Sequence, residues 1–199
     1  MLKQVAEIDK ILMVWINNSL SNPFFDHLMP IVTNEKIWIL PILILIGYLG
    51  LVSGKRGKIS LGVLLITAIF CDAVCAQILK PWIGRIRPSH EIADQINLLV
   101  SKGGKWGFPS NHAANSYAAA TVLSYFFKRF KIALYALAFL IAFSRVYVGV
   151  HYPGDILAGG ITGYTLAWGV ITLWVVIKMR ELKRGQFWVW YDTSDAPKV

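Results

Sequence analysis

The sequence predicts an all-α membrane protein, a polytopic helix bundle of about five spans, on three observations. Hydrophobic residues make up 56% of the 199 and charged residues only 16%, more apolar and less charged than ordinary soluble domains. The apolar residues are gathered into runs close to the 20 or so residues that a helix needs to cross the hydrocarbon core. The linkers on one side of these runs are short and basic, as the positive-inside rule requires.

Residues 5–20 place Val5, Ile8, Ile11, Leu12, Trp15 and Ile16 at helical spacing. The run is short and amphipathic, which predicts a helix lying in the membrane interface. Asn17, Asn18, Ser19, Asn22 and Pro23 interrupt it, and a second apolar stretch, 24–32, leads into Asn34. Residues 1–36 are therefore expected to be an interfacial segment, with a distorted sixth span as the alternative. Lys3, Glu7, Asp9 and Lys10 break the apolar character that a cleavable signal peptide would need.

The five expected spans are residues 37–52, 59–79, 112–127, 131–150 and 155–178. Cys71 and Cys75 lie one turn apart inside the second, where small buried packing residues are expected. Gly159 and Gly163 in the last form a small-residue pattern that lets helices approach closely. The tail GQFWVWY at 185–191 predicts an interfacial anchor, and the last eight residues are expected to be disordered. A single domain covers 1–199.

The linkers at 53–58 and 128–131 and the segment 178–184 fall on one side of this topology and hold ten of the twenty basic residues, which assigns that side to the cytoplasm. The net charge of +9 is thus explained without nucleic acid. Residues 80–111 and 144–154 then face outward, to the periplasm if the protein sits in a bacterial inner membrane. They too carry cations: Lys80, Arg85, Arg87, Lys102, Lys105 and Arg145. These run against the topology rule, and an anionic ligand would account for them.

Three stretches on this outer side carry chemistry: KPWIGRIRP at 80–88, FPSNHAAN at 108–115 and SRVYVGVHYPGD at 144–155. Lys80, Arg87 and Arg145 supply the charge a phosphate dianion needs, and the planar arginine fork suits its oxygens. Ser110 stands where a helix N-cap is expected, and free backbone N–H groups at a helix start bind anions. His151 and Asp155 lie four apart at the start of the last span, a spacing that brings the carboxylate to the imidazole. Such a carboxylate fixes the tautomer and frees the other nitrogen to attack. His112, from another helix, is placed to protonate a leaving oxygen.

Together the stretches resemble the signature of the type 2 phosphatidic acid phosphatase superfamily: lysine, six residues, Arg-Pro; then Pro-Ser-Gly-His; then Ser-Arg, five residues, His, three residues, Asp. Lys80, Arg87 and Pro88 match the first part, Pro109, Ser110 and His112 the second, and Ser144, Arg145, His151 and Asp155 the third. Asn111 replaces the glycine, whose backbone N–H would approach phosphate closely; asparagine tolerates unusual backbone angles better than most residues.

The resemblance implies a hydrolase that removes phosphate from a membrane lipid phosphate or pyrophosphate, without metal or other cofactor. Its substrate would be undecaprenyl pyrophosphate, a lipid A phosphate, phosphatidylglycerophosphate or phosphatidic acid. His151 would be the nucleophile of a phosphohistidine mechanism, oriented by Asp155, with His112 as acid and base. Lys80, Arg87, Ser110, Asn111 and Arg145 would hold the phosphoryl oxygens. The competing reading is a transporter that binds an anionic lipid without hydrolysing it; it leaves the His151–Asp155 spacing and His112 unexplained. A soluble haloperoxidase of vanadate type shares the oxyanion pocket, but the apolar spans speak against it.

Two further residues have weaker claims. Asp72 sits eight residues before Lys80, about 12 Å along a regular helix, and is expected to make a structural hydrogen bond too deep to reach the same phosphate. His90 is expected to be a solvated loop residue.

Overall fold

The structure, a computed structural model, describes residues 2–186 and 188–191. The eight-residue terminus expected to be disordered, 192–199, lies outside the described residues. The chain is helical as expected, and the described residues form no strand beyond one isolated antiparallel bridge between Ile86 and Trp106. Its helices are α1 (Leu2–Ser19), α2 (Pro23–Thr33), α3 (Glu35–Val52), α4 (Gly54–Ile83), α5 (Pro88–Glu91), α6 (Asn111–Phe126), α7 (Lys128–Tyr147) and α8 (Pro153–Lys183).

Four of these, α3, α4, α7 and α8, are long and apolar enough to cross a membrane. The remaining expected span, α6, has 16 residues, about 24 Å at 1.5 Å per residue. It occupies the middle of the bundle, packed against α4, α7 and α8. The first half of its buried face is built from small side chains, Ala113, Ala114, Ala118 and Ala120, so its neighbours come close there. On α8, a Cβ added at Gly163 would overlap the backbone carbonyl of Ala114, and one at Gly159 would press on Ser110 and Ala113. The Gly159–Gly163 pattern is thus the seam between α6 and α8, and it holds His151 and Asp155 beside His112. We expect Gly163→Leu to cost about 3 kcal/mol, read as a lowered melting temperature in detergent with loss of activity in parallel. A wild-type melting temperature would show that the seam tolerates bulk.

Cys71 and Cys75 are free and fully buried in the main apolar cluster, with Ala118, Val122 and Phe126 of α6 and Ala167 and Ile171 of α8. The described residues of the aromatic tail pack back on the bundle: Val189 is buried, and the Trp190 ring lies 5.7 Å from that of Phe126. The Arg56 guanidinium sits 4.5 Å from the Phe127 ring centre and 5.0 Å from that of Trp190, so cation–π attraction draws the tail onto the basic end of the molecule. Trp188 and Tyr191 remain exposed.

Candidate active site

The candidate site is assembled at one end of the bundle from α4, the long segment 84–110, the start of α6, the end of α7 and the start of α8. Wide π-type turns over Ala73–Leu79 precede Lys80; such turns shift the register of a helix and recur at functional sites. Gly84, in the left-handed region at φ 62°, ends α4. The chain then doubles back, with Arg87 N–H donating to the Lys105 carbonyl and Gly107 N–H to that of Arg85. Arg87 Nε donates to the Trp106 carbonyl at 3.1 Å. Gly107 is needed at this crossing, because an added Cβ would lie 2.9 Å from Asp155 Oδ2 and 3.1 Å from Arg87 Cγ.

His151 and Asp155 are both essentially inaccessible, at 1% and 0% exposure. His151 Nδ1 is 3.3 Å from Asp155 Oδ2. A carboxylate only accepts, so Nδ1 carries the proton and Nε2 keeps its lone pair. Asp155 Oδ2 also accepts from the Tyr152 N–H at 3.0 Å, and the Asp155 carbonyl accepts from the Ser110 N–H at 3.0 Å. Burial, followed by the charges of Arg87, Arg145 and Lys80, holds the His151 imidazole well below its ordinary range, so the ring is neutral at physiological pH. Burial likewise lowers Arg87 from the usual arginine value.

His151 opens onto a cavity of about 720 Å³ lined also by Lys80, Arg87, Asn111 and His112, with an apolar wall from Trp38, Pro41, Ile42 and Leu45 of α3. Ser110, Arg145 and Asp155 are buried and do not line this cavity. Arg145 donates to Thr33 Oγ1 on α2, while its Nε has no partner. Ser110 Oγ and His112 Nε2 are also buried without a hydrogen bond; His112 Nε2 is 3.2 Å from Glu35 Oε1, but poorly aligned. Leaving a buried polar group unpaired costs about 1–3 kcal/mol; an oxygen-rich ligand in the cavity would meet His112 directly, with Ser110 Oγ and Arg145 Nε buried behind the lining.

Several expectations change here. Ser110 does stand at the N-cap of α6 with extended backbone, but its side chain makes no capping bond. Asn111 Nδ2 donates to Asp72 Oδ1 at 2.9 Å, and both residues line the cavity. Asp72 is therefore hydrogen-bonded as expected, yet not remote, because it lines the same cavity as Lys80, Arg87 and His151. His90 Nε2 pairs with the Gly103 carbonyl at 3.2 Å and Ser89 Oγ with that of Lys102 at 2.9 Å, so this region braces the loop.

Arg85 is the residue that sequence reasoning passed over. Its Nη1 donates to Asp155 Oδ1 at 3.0 Å and its Nη2 lies 2.6 Å from Asp9 Oδ2. The anions that pair with this cation are thus supplied by the protein. The one available signal was its place inside the 80–88 stretch. Lys105, another of these cations, lies 5.0 Å from the centre of the Trp106 ring.

The PAP2 superfamily pattern matches residues 59–179. The chain is 34% identical over 177 residues to the lipid A 4'-phosphatase of Bacteroides thetaiotaomicron, covering 84% of this chain and 77% of that protein. It is 28% identical over 157 residues to phosphatidylglycerophosphatase B of Bacillus subtilis, 72% of each chain. Among solved structures, that of Aquifex aeolicus LpxE superposes with a TM-score of 0.61 at 26% identity, covering 81% of this chain and 93% of that one.

Proposed function

The chain belongs to the PAP2 superfamily, and from that membership we propose that it hydrolyses the phosphate monoester of a lipid A-type glycolipid, with His151 as nucleophile. That it is an integral membrane hydrolase of lipid phosphates follows from the family and its phosphatase relatives. The observation that carries the mechanism is the buried His151–Asp155 pair opening onto a cationic cavity with an apolar wall.

The Nε2 lone pair of His151 attacks phosphorus. As the N–P bond forms, the P–O bond to the lipid breaks, and His112 gives its proton to the departing oxygen. Water then attacks the phosphohistidine and yields its proton to His112. The N–P bond breaks, and inorganic phosphate leaves with both histidines as they began. Lys80, Arg87 and the start of α6 at Asn111, which line the cavity, hold the phosphoryl oxygens, and Arg145 and Ser110, buried behind them with unpaired polar atoms, close on the bound phosphate and stabilise charge as it spreads in the transition state. Cationic side chains supply the positive field.

The substrate class rests on the similarity to the lipid A 4'-phosphatase and on the polar groups beside the cations. Asp72, Asn111 and Glu35 line the same cavity and offer acceptors to sugar hydroxyls, which a polyprenyl diphosphate lacks. The site faces the periplasm of a bacterial inner membrane, with residues 1–36 in the outer interface and the rest of the single domain spanning the bilayer.

The test is phosphate release by purified protein in detergent, with EDTA present, from lipid A, phosphatidylglycerophosphate, phosphatidic acid and undecaprenyl diphosphate. We expect lipid A to be turned over fastest and EDTA to leave the rate unchanged. A faster rate on undecaprenyl diphosphate would overturn the substrate assignment. Loss of activity with EDTA, restored by a divalent ion, would overturn the metal-free mechanism.

A further inference from the structure

We propose that Asp9, on a helix outside the family-matching segment, is a positioning residue for the reaction: acting through Arg85, it sets how much negative charge Asp155 presents to His151. As a statement about catalysis this rests on the phosphatase reading above.

Helix α1 is amphipathic with its faces reversed relative to a helix on a soluble core. Val5, Ile8, Ile11 and Trp15 are 55–60% exposed. Asp9, Met13 and Asn17, spaced four apart, are the buried residues. Asn17 Nδ2 donates to the carbonyls of Tyr147 at 2.6 Å and Asn97 at 3.0 Å, and Asn17 Oδ1 accepts from the Asn97 N–H at 2.6 Å. These bonds set the rotation and height of α1, and so aim Asp9 at the first turn of α8.

There Asp9 Oδ1 accepts from the Gly154 N–H at 2.7 Å, one residue before Asp155. Its other oxygen takes Arg85 Nη2 at 2.6 Å. Glycine at 154 is what permits this approach, since an added Cβ would lie 2.6 Å from Asp9 Oδ2. Arg85 lies over the Tyr152 ring, 4.1 Å from its centre, with one fork nitrogen on each carboxylate.

A single carboxylate facing Arg85 would be fully paired, and its field at His151 largely cancelled. Asp9 adds a second negative charge, so the three groups together are anionic and Asp155 keeps charge for the imidazole. In a buried site, where screening is weak, that difference is felt at the nucleophile. Without it Arg85 closes on Asp155, the ring becomes less basic, and attack on phosphorus slows. The cationic cavity that binds the phosphate is untouched, so the loss falls on kcat rather than KM.

Asp9→Asn tests this, because it keeps the shape and an acceptor for the Gly154 N–H but removes the charge. We expect kcat to fall by about 10–100-fold, the range for groups that orient a functional histidine, with KM within about twofold. Lys10→Ala is the control: it removes the neighbouring exposed ion pair to Glu91 and should leave kcat near wild type. Wild-type kcat in Asp9→Asn, or an equal loss in Lys10→Ala, would overturn the proposal. A second readout needs no substrate. In histidine-labelled protein, the downfield Nδ1 proton signal that vanishes in His151→Gln should move in Asp9→Asn and stay in Lys10→Ala; an unmoved signal overturns the proposal. Wild-type protein that releases no phosphate from any lipid would sink the phosphatase reading instead, leaving the proton signal to decide the role of Asp9.

Discussion

Replacing His151 with alanine is expected to lower kcat by at least about 10⁴-fold, as removal of a covalent nucleophile does elsewhere, while the bundle stays folded. The reason for expecting both is the way Asp155 is held. Once the imidazole is gone, Asp155 still accepts from the Tyr152 N–H and from Arg85, so no buried carboxylate is left unpaired. The variant should melt close to the wild-type temperature in detergent and retain affinity for phosphate, because Lys80, Arg87 and Arg145 are unchanged. Rapid quenching with a labelled substrate should trap an acid-labile phosphoprotein in the wild type and none in the variant. Turnover in His151→Ala at the wild-type rate would remove the nucleophile from the mechanism.

Asp155→Asn is expected to lower kcat by about 10²–10⁴-fold, for a different reason. Asp155 Oδ2 has two donors, the Tyr152 N–H and His151 Nδ1, and Oδ1 receives Arg85. An asparagine cannot serve all three. If its oxygen faces Arg85, its NH₂ meets the imidazole, forces Nδ1 to become the acceptor and puts the proton on Nε2. The attacking atom then has no lone pair. If its oxygen faces His151, its NH₂ meets a guanidinium, and Arg85 loses a partner in a largely buried place, which lowers the melting temperature. Both orientations lower stability, since the first also turns the NH₂ against the buried Tyr152 N–H; they are separable by the ring tautomer, the His151 Nδ1 proton being lost in the first and kept in the second. Unchanged kcat and stability together would mean that Asp155 neither orients nor charges His151.

Most of the candidate site was legible because it is written in short spacings. His151 and Asp155 are separated by one helical turn, and Lys80, Arg87, His112 and Arg145 each stand at a boundary between an apolar run and a loop. What was not legible depends on pairs far apart in sequence. Arg85 meets Asp155 across 70 positions and Asp9 meets Gly154 across 145, and no local pattern announces either. The amphipathic pattern of α1 was read correctly as helical, but periodicity does not say which face is the buried one. In a membrane the apolar face can turn to lipid, leaving a polar line to make the protein contacts. Asp72 was misplaced for a related reason: distance along a helix axis ignores a cavity that descends beside it. The small residues of α6 are plain in the sequence, but that α4, α7 and α8 all pack on this short helix depends on contacts that no local pattern announces.

Helix α3 has a consequence for how the enzyme meets its substrate. It contributes Glu35, Trp38, Pro41, Ile42 and Leu45 to the cavity wall, yet no residue of Glu35–Gly47 is buried. The wall on that side is therefore one sparsely supported helix whose outer surface is hydrocarbon. A lipid is therefore expected to reach the histidines from within the plane of its own leaflet, in a two-dimensional search. The mole fraction of substrate at the surface should then govern the rate, so diluting it with inert detergent or lipid is expected to slow the enzyme even when its amount per volume is held constant; an unchanged rate on dilution would speak for entry from water.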